Sequence, residues 1–321
     1  MAVDKKYDVV ALGELNVDII LNSIDGFPEV GKEKFAGSMT LTLGSSTAIF
    51  AANVASLGSR TAFAGMVGRD SFGDLVRKSL EDRGVSTEYL VESDSHATGA
   101  TVVMSYGEDR ANITYQGVMD IMSFTDLNPE LFKETRHIHI SSVFMQSSLM
   151  KDLVKILETA QRAGVTVSMD TQWDPYEKWD FDYKSVLPYV DVFMPNEVEL
   201  KNITGKDSLE EAVGTVVPFL KDMLVVKCGS RGSLLVMKDG ICNTMPAFIN
   251  EDVVDAIGAG DSFNSGFVHG YVKGLSAVEC QRLGNVTGAV NTTAAGGTGA
   301  FVSKEAVMRT AKDRFGVEIG L

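Results

Sequence analysis

The 321-residue sequence predicts an α/β protein in which a doubly wound, Rossmann-like sheet carries helices on both faces and a small β-sheet lid lies beside it. Short apolar runs of strand length alternate with helical patterns from residue 138 onward. Mixed polar and apolar runs near residues 34–43 and 100–116 suit strands with one solvated face. The composition, with 45% hydrophobic and 22% charged residues, is that of a globular protein.

The first third of the chain supplies the first strands, two helices and the lid. A continuous apolar run predicts a buried strand over residues 7–12, and small apolar residues followed by Gly58 predict a buried helix over residues 48–57. The other elements predicted here are strands at 17–21, 34–43 and 61–67, a helix at 72–83, and a hairpin of strands 100–105 and 111–116 around a turn at 106–110. We expect an antiparallel lid, contributed by about residues 14–43 and 97–118 of a single domain that spans residues 1–321.

Strands and helices alternate regularly in the rest of the chain. The predicted strands lie at 138–142, 165–170, 191–194, 224–227 and 234–237, and the predicted helices at 149–163, 260–273, 277–293 and 303–313, with two more that begin at Asn196 and Ser208. In open α/β sheets, ligands bind beyond the carboxyl ends of the strands. We therefore expect the chemistry in the residues that follow each strand.

Net charge restricts the classes of partner. The 29 Lys and Arg residues oppose 43 Asp and Glu residues, which gives a formal net charge of −14. Such a field repels phosphate backbones and anionic lipid, so we expect neither nucleic acid nor a membrane as a partner. A phosphate-bearing substrate would need backbone amides, a helix N-terminus or a metal ion at its site. Three cysteines without C-x-x-C spacing, and no apolar run of about 20 residues, predict a cytoplasmic protein.

The stretch DAIGAGDSF at residues 255–263 is the most informative in the chain. Gly258 and Gly260 bracket a small residue, so backbone amides can converge on an anion where a helix begins. The carboxylate of Asp261, at the mouth of this anion hole, either serves the helix macrodipole or acts as general base for a hydroxyl that attacks a phosphoryl group. A dinucleotide-binding fingerprint is absent because Phe263 occupies the position of its third glycine, so a nicotinamide oxidoreductase has no support.

The same stretch closely resembles D-T-x-G-A-G-D-x-F, the C-terminal signature of the ribokinase-like (PfkB) carbohydrate kinases. Further segments resemble family motifs in the same order along nearly the whole chain: GELNVD at 13–18, VGRDSFG at 67–73, TGA at 98–100, PNEVE at 195–199 and KCGSRGS at 227–233. The resemblance implies a ribokinase-like fold, which is a Rossmann-like α/β domain with a β lid and agrees with the predicted elements. It also favours the general-base interpretation of Asp261.

The resemblance implies roles for residues at matching positions. Asp261 would be the catalytic base, and its anion hole would consist of the amides of Gly258, Ala259 and Gly260. The implied nucleotide-binding residues are Asn196, Lys227, Gly229, Gly232 and Asn285, the last of them near the adenine. The implied sugar-binding residues are Asn16, Asp18 and Gly44. A carboxylate such as that of Asp18 can accept hydrogen bonds from two adjacent hydroxyl groups.

Two cation sites are also implied. Asn196 and Glu199 would organise Mg²⁺, through its waters, near the phosphates of ATP. The alternative is that these two residues only begin a helix, for which Asn196 is a good cap. Asp255, together with GGTG at 296–299, is similar to a monovalent-cation site of some members, so K⁺ is a candidate ligand.

Departures from the family pattern leave the identity of the sugar open. The second family motif begins with two glycines and carries an Asn, whereas here Gly44 is followed by Ser45, and Ile49 occupies the Asn position. Ile257 replaces a Thr of the signature, which weakens the expected cation site. The segment DTQW at 170–173 lacks the Asn and later Arg that are common after this strand. The expected phosphate chemistry is unaffected.

The sequence thus predicts an ATP-dependent sugar kinase that transfers the γ-phosphoryl group, with Mg²⁺, to a hydroxyl of a small sugar or sugar acid. The alternatives are a nucleoside kinase of the same fold and a non-catalytic sugar-binding regulator, against which the intact Asp261 argues. We expect a homodimer paired through the lid, because a sheet with one apolar face and open edges needs a partner. His137 and His139 share one face of a strand, and structural hydrogen bonding is favoured there over metal ligation.

Overall fold

The computed structural model describes residues 5–106 and 109–320, in which strands and helices alternate over most of the chain. The strands are β1 (Tyr7–Leu12), β2 (Asn16–Asn22), β3 (Ser38–Leu43), β4 (Thr61–Gly68), β5 (Val85–Ser93), β6 (Gly99–Tyr106), β7 (Asp109–Tyr115), β8 (Thr135–Ser141), β9 (Thr166–Asp170), β10 (Val192–Phe193), β11 (Met223–Lys227), β12 (Ser233–Met237) and β13 (Cys242–Met245). The α-helices are α1 (Ser46–Ser56), α2 (Ser71–Glu81), α3 (Glu130–Glu134), α4 (Ser147–Lys151), α5 (Leu153–Arg162), α6 (Tyr183–Val186), α7 (Glu197–Thr204), α8 (Leu209–Val216), α9 (Ala259–Val272), α10 (Ala277–Asn291) and α11 (Lys304–Phe315).

The main sheet has nine strands in the order β13-β12-β11-β10-β9-β8-β1-β4-β5. Neighbouring strands from β11 to β5 are parallel, and β12 and β13 extend the sheet as an antiparallel edge. From β1 the chain winds first through β4 to β5, and it later continues from β8 in the opposite direction. The strand order therefore reverses between β1 and β8, where open α/β sheets bind their ligands.

Both faces of the main sheet are covered, as strand β1 illustrates. Val9 and Ala11 pack into the core on one side of the sheet, and Val10 and Leu12 pack into the core on the other side. All four side chains are fully buried, which explains why the strand is a continuous apolar run and not an alternating one. Within residues 5–106 and 109–320, no helix has the length and apolarity needed to cross a membrane.

The second sheet is the predicted lid, in the order β3-β2-β6-β7. All four strands fall inside the ranges predicted for it. The expectation of an antiparallel lid was wrong for its central pair, because β2 and β6 run parallel while the outer pairs are antiparallel. Both central strands leave the main sheet in the same direction, and the long connection through α1, β4, α2 and β5 allows the parallel pairing.

Other differences from the predicted elements are local. The helix predicted at 149–163 is divided at Asp152 into α4 and α5, and the edge strands β5 and β13 were not predicted. Both missed strands lie at the margins of the main sheet, where partly exposed residues replace the continuous apolar run on which the prediction relied. Part of the lid turn predicted at 106–110 lies outside the described residues.

Helices α9 and α10 cross closely because small residues lie at their contact. A Cβ added to Gly266 of α9 would overlap the Thr287 hydroxyl and lie 2.8 Å from the Leu283 carbonyl oxygen. A Cβ added to Gly284 of α10 would lie 3.0 Å from the ring of Phe263. This contact fixes the position of α9, the helix that begins at the GAGD motif.

Gly266→Ala is expected to lower the free energy of unfolding by about 1 to 3 kcal/mol, because α9 and α10 must separate to admit a methyl group. Chemical denaturation measures this change. Gly214→Ala in α8 is the matched control, since a Cβ there meets nothing within 4 Å. The control is expected to raise stability by about 0.4 to 1 kcal/mol through its effect on the unfolded chain. Equal effects at the two sites would contradict the close crossing.

Candidate active site

A cavity of about 680 Å³ lies beyond the carboxyl ends of the central strands, between the main sheet and the lid. Most of the residues predicted for the site line it: Asp18, Asn196, Glu199, Lys227, Gly229, Gly232, Gly258, Ala259, Gly260, Asp261 and Asn285. Asn16 and Gly44 lie directly behind Asp18, and Asp255 lies behind the GAGD loop. Asp18 and Asn285, which are 267 positions apart in the chain, thus share one cavity.

The first turn of α9 places Asp261 at the cavity. Gly258 caps the helix in a left-handed conformation, with φ of 74°, and a Cβ on it would lie 2.6 Å from the Cα atom of Gly297. Glycine is therefore required at this position for both conformation and space. Asp261 is 6% exposed. Burial and the Asp170 carboxylate raise the pKa of Asp261 well above its usual range, although the Lys227 ammonium acts in the opposite direction.

Asp170, at the carboxyl end of β9, is the centre of a hydrogen-bonded group that we call the Asp170 cluster: Asp170, Gln172, Lys227, Asp261 and Asn264. The fully buried Asp170 carboxylate forms an ion pair with Lys227 Nζ and accepts from Asn264 Nδ2 at 2.6 Å. Gln172 Nε2 donates to Asp170 Oδ2 at 3.0 Å and to Asp261 Oδ1 at 2.8 Å. Burial lowers the pKa of Lys227, but the surrounding carboxylates outweigh this effect and the pKa is raised.

Asn196 and Glu199 form the helix start that the sequence pattern predicts. The Asn196 side chain accepts from the Glu199 amide at 2.9 Å, and the Glu199 carboxylate accepts from the Asn196 amide at 2.8 Å and from Asn196 Nδ2 at 2.6 Å. This is a capping box at the beginning of α7. The pair also lines the cavity beside Lys227. Burial and the Asp170 carboxylate raise the pKa of Glu199 to about 7.

The loop between β11 and β12 and the helix α10 form another wall of the cavity. Gly229 and Gly232 have positive φ angles of 58° and 97°, so glycine is favoured at both. A Cβ on Gly232 would lie 2.6 Å from the Ala247 backbone nitrogen. Asn285 projects from α10 and donates to the Ser233 hydroxyl at 2.9 Å. The backbone and side chains here provide a polar wall next to the Asp170 cluster.

The lid contributes Asp18, in the middle of β2. Its Oδ1 atom accepts from Asn16 Nδ2 at 2.9 Å, and Asn16 Nδ2 also lies 3.1 Å from the Thr101 hydroxyl. A Cβ on Gly44 would overlap the Asp18 carboxylate, so the close approach of β2 to Gly44 requires glycine. Ser45, which stands where the family has a second glycine, keeps a positive φ of 69°. Burial raises the pKa of Asp18 to about 6.

Asp255 connects two loops at one end of the cavity. Its Oδ1 atom accepts from the Ile257 amide at 2.9 Å, and its Oδ2 atom accepts from the Gly296 amide at 2.8 Å. The carboxylate thus joins the GAGD and GGTG loops. Ile257 offers no side-chain oxygen to a cation, and K⁺ binding at this loop stays a prediction.

His137 and His139 are structural residues, as favoured from the sequence. Both are fully buried, His137 bonds the hydroxyls of Thr166 and Ser168 at 2.8 Å, and His139 bonds Ser168 at 2.7 Å. Burial lowers the pKa of His137 to about 3. No group of three or more potential metal ligands occurs among the described residues.

Comparison with known proteins identifies the family. The sequence profile described as pfkB family carbohydrate kinase matches residues 6–304. The chain belongs to the pfkB family. Its members are carbohydrate kinases, which phosphorylate hydroxyl groups. A relative that is similar over its whole length is the ATP-dependent ribose-1-phosphate kinase of Halopiger xanaduensis, with 30% identity over 96% of this chain and 99% of the relative.

Solved structures of the same fold include those of ribokinases. The ribokinase of Arabidopsis thaliana, in complex with ribose and ATP, covers 95% of this kinase and 99% of its own chain, with a TM-score of 0.81 and 25% identity. An Escherichia coli protein described as a ribokinase II, in complex with ATP and Mg²⁺, gives the same coverage with a TM-score of 0.82 and 22% identity. The ribokinase-like fold predicted from the sequence is thereby confirmed.

Some residues at this site were not predicted as site residues: Gln172 and Arg110 line the cavity, and Asp170 and Asn264 are fully buried beside it. Asp170 and Gln172 entered only as part of a segment that departs from the family pattern, and Asn264 and Arg110 were not considered. Asp170 is the last residue of β9 and so lies at the carboxyl end of a strand, where site residues are expected. Arg110 lines the cavity from lid strand β7. No sequence signal connects it with Asp18, whose ionised form it favours.

We expect Asp18→Asn to stabilise the kinase at pH 7.5 by about 1 to 3 kcal/mol, because the folded protein must hold a buried carboxylate ionised at that pH. The raised pKa of Asp18 means that this cost is absent below about pH 4 and complete above about pH 6. Chemical denaturation between pH 4 and pH 8 measures the difference from the parent. Asp207→Asn, at an exposed position, is the control and is expected to change little. An Asp18→Asn protein that is less stable at pH 7.5 would indicate a structural role for the carboxylate.

Proposed function

We propose that the protein is a cytoplasmic, ATP-dependent kinase that transfers the γ-phosphoryl group to a hydroxyl of a small sugar or sugar acid. Asp261 is the general base of this reaction. The observation that carries the proposal is the position of Asp261, a buried carboxylate in the first turn of α9 that shares a cavity with the lid carboxylate Asp18. A carboxylate that only served the helix macrodipole would be expected at an exposed position.

Asp261 takes the proton of the acceptor hydroxyl as that oxygen attacks the γ-phosphorus. The bond between the γ-phosphorus and the bridging oxygen of the β-phosphate breaks, and ADP leaves with the electron pair. Negative charge develops on the transferring group, and the amides of Gly258 and Gly260, where α9 begins, stabilise it. The Ala259 amide, which the resemblance also implied, already donates to the Ala256 carbonyl oxygen at 3.2 Å. The raised pKa of Asp261, caused by burial and the Asp170 carboxylate, makes it a stronger base than an ordinary aspartate.

Asp18 holds the acceptor by its hydroxyl groups, and Asn16 acts through Asp18. Asn16 fixes the Asp18 carboxylate through Nδ2, and Gly44 leaves the space in which that carboxylate lies. Ile49 lines this cavity at the position where the second family motif has an Asn. Fewer polar contacts on that side leave more of the acceptor affinity to Asp18.

Lys227, Gly229, Gly232 and Asn285 form the proposed nucleotide side of the cavity, next to the capping box of Asn196 and Glu199. The carboxylates of Asp170, Glu199 and Asp261 outnumber the single ammonium of Lys227, a balance that suits a divalent cation brought with ATP. The two oxygens of Glu199 already accept hydrogen bonds from Asn196, so this carboxylate would hold Mg²⁺ through water. Bound Mg²⁺ would neutralise phosphate charge during transfer.

Replacing Asp261 by Asn retains the shape and removes the basicity. We expect kcat to fall by about 10²-fold to 10⁴-fold, with nucleotide affinity little changed. A coupled assay of ADP release and a nucleotide titration measure the two quantities. Asp74→Asn is the matched control, because Asp74 is also an acidic residue in the first turn of a helix, α2, but lies on the surface. Retention of near-parental turnover by Asp261→Asn would disprove the assignment.

The acceptor is identified by measuring ADP release over ribose, fructose, sugar acids, ribose 1-phosphate, fructose 6-phosphate and adenosine. Turnover with adenosine alone would establish the alternative of a nucleoside kinase. Binding of a sugar without any ADP release, in a protein that binds ATP, would establish the non-catalytic regulator. The sugar kinase requires phosphorylation of a sugar or sugar acid that is lost in Asp261→Asn.

We further propose that two copies pair through their lids. Lid residues in register with Asp18, which are Thr42, Thr101 and Thr114, form a polar row. The neighbouring row consists of Leu41, Ile19, Val102 and Ile113, and it lies on the opposite face of the sheet. Leu41 is 40% exposed and Ile113 is 64% exposed. A second copy would cover this apolar face.

Light scattering is expected to give the mass of a dimer at about 10 µM protein, and Ile113→Glu is expected to give that of a monomer. The substitution places a charge at the end of the apolar row, on the edge strand β7, where burial would be costly. Val302→Glu, at an apolar residue that is 71% exposed and outside the lid, is the control and should leave the dimer intact. A monomeric parent protein at this concentration would refute lid pairing.

A further inference from the structure

We propose that Gln172 is a positioning residue for Asp261, the general base. The Gln172 amide holds Asp261 by its Oδ1 atom and leaves Asp261 Oδ2 to receive the proton of the acceptor hydroxyl. The proposal rests on the assignment of Asp261 as base. The supporting observation is that the Gln172 side-chain amide lies between two buried carboxylates, those of Asp170 and Asp261. Gln172 also lines the cavity, so the arrangement lies at the site itself.

The amide of Gln172 can meet these carboxylates in one orientation only. Its Nε2 atom carries two hydrogens and lies 3.0 Å from Asp170 Oδ2 and 2.8 Å from Asp261 Oδ1. The opposite orientation would place the amide oxygen against two carboxylate oxygens, with no hydrogen between them. Both hydrogens of Nε2 are therefore used, one for each carboxylate.

Asp170 is the firmly held partner in the hydrogen-bonded series Asp170–Gln172–Asp261. Its Oδ2 atom accepts from Lys227 Nζ and Asn264 Nδ2 as well as from Gln172, so donors from three different elements hold it. A carboxylate with an ion pair and two amide donors is firmly placed in its ionised form. The position of Asp170 thus determines where the Gln172 amide lies.

The backbone of Gln172 adopts a conformation that glutamine rarely takes. Its φ angle is +60°, in the left-handed region, and its amide nitrogen lies 3.4 Å from Asp170 Oδ1. Such conformations persist where the surroundings enforce them, and they are frequent at functional sites. Here the left-handed turn directly after β9 directs the side chain back across the end of the sheet toward Asp261.

The consequence for Asp261 concerns both geometry and protonation. Donation to Oδ1 fixes the rotation of the carboxylate and favours its ionised form. The charged groups that act on Asp261 from the packed elements are Asp170 on β9, Lys227 on β11, Glu14 before β2 and Glu199 on α7, with Asp18 and Arg110 facing the cavity from the lid. Carboxylates predominate among them, so Gln172 opposes a repulsion that favours the protonated base.

Gln172→Met removes both donated hydrogen bonds and keeps the length of the side chain. The acidic limb of the kcat profile, measured with the best acceptor from the screen, is expected to move up by about one pH unit. At pH values below the limb of the parent protein, kcat is expected to fall by about tenfold, while KM for ATP stays within about twofold. Gln172→Glu should move the limb further in the same direction, because it adds a third carboxyl group.

Gln146→Met is the matched control for the loss of a buried amide donor. Gln146 is fully buried and donates to the carbonyl oxygens of Ser141 and Ser142 at 2.9 and 3.2 Å, and not to the carboxylates of Asp170 and Asp261. We expect it to lower the thermal midpoint without moving the acidic limb. An acidic limb of Gln172→Met that coincides with that of the parent protein would overturn the positioning role.

A second measurement tests Gln172 without turnover. Infrared difference spectra of the parent protein minus Asp261→Asn, recorded across pH, report the protonated carboxyl group of Asp261 directly. The Gln172→Met background should give the same band with a midpoint about one pH unit higher. If no acceptor is phosphorylated, the proposed function fails and this titration alone decides the role of Gln172. If turnover is lost in Asp261→Asn but neither midpoint moves in Gln172→Met, only the positioning role fails.

Discussion

The buried ion pair between Asp170 and Lys227 is the interaction on which the arrangement of the site depends. It joins the carboxyl ends of β9 and β11, which lie on either side of β10, and Asn264 connects the same carboxylate to α9. A buried pair gains little for stability over apolar residues, but loss of one partner leaves an uncompensated charge. Loss of Lys227 would be especially unfavourable, because the carboxylates of Asp170 and Asp261 would then lie close together without their ammonium. The pair therefore fixes the geometry of the strand ends that the chemistry uses.

Much of the cavity follows from the sequence, because strand ends and glycine positions are readable there. The GAGD stretch predicted a helix start with a carboxylate at its mouth, and Asp261 lies in the first turn of α9, which begins at Ala259. The contacts of the Asp170 cluster were not predictable in the same way. They join residues that are 57, 89 and 94 positions apart, and no local pattern records such pairs. The left-handed conformation of Gln172 was equally hidden, because the sequence signals that predict such a φ angle are glycine and asparagine.

In the lid, too, features that depend on neighbouring residues were predictable, and features that depend on distant parts of the chain were not. Alternating polar and apolar residues predicted strands with two different faces, and the register aligns a threonine row with Asp18 on one face and an apolar row on the other. The direction of β6 relative to β2 was predicted wrongly, since strand direction depends on the connection and not on the pattern within each strand. The alternation itself is enough to explain why the lid has two different faces. A strand with period two can place Asp18 over the cavity and Ile19 on the outer surface.

Because the protein carries a large negative charge, the site needs local groups that attract an anion. A formal net charge of −14 and the buried carboxylates beside the cavity oppose the approach of an anionic nucleotide. The first turn of α9 supplies amides and the positive end of a helix dipole, and Lys227 supplies one ammonium that is already committed to Asp170. These groups favour the anion only at the position where the phosphates would lie, so they also orient it. Burial and the same carboxylates, which would repel the nucleotide, raise the pKa of Asp261, the proposed base, well above its usual range. An acidic environment thus weakens general anion binding and would strengthen Asp261 as the proposed base, provided that donors such as Gln172 keep its carboxylate ionised.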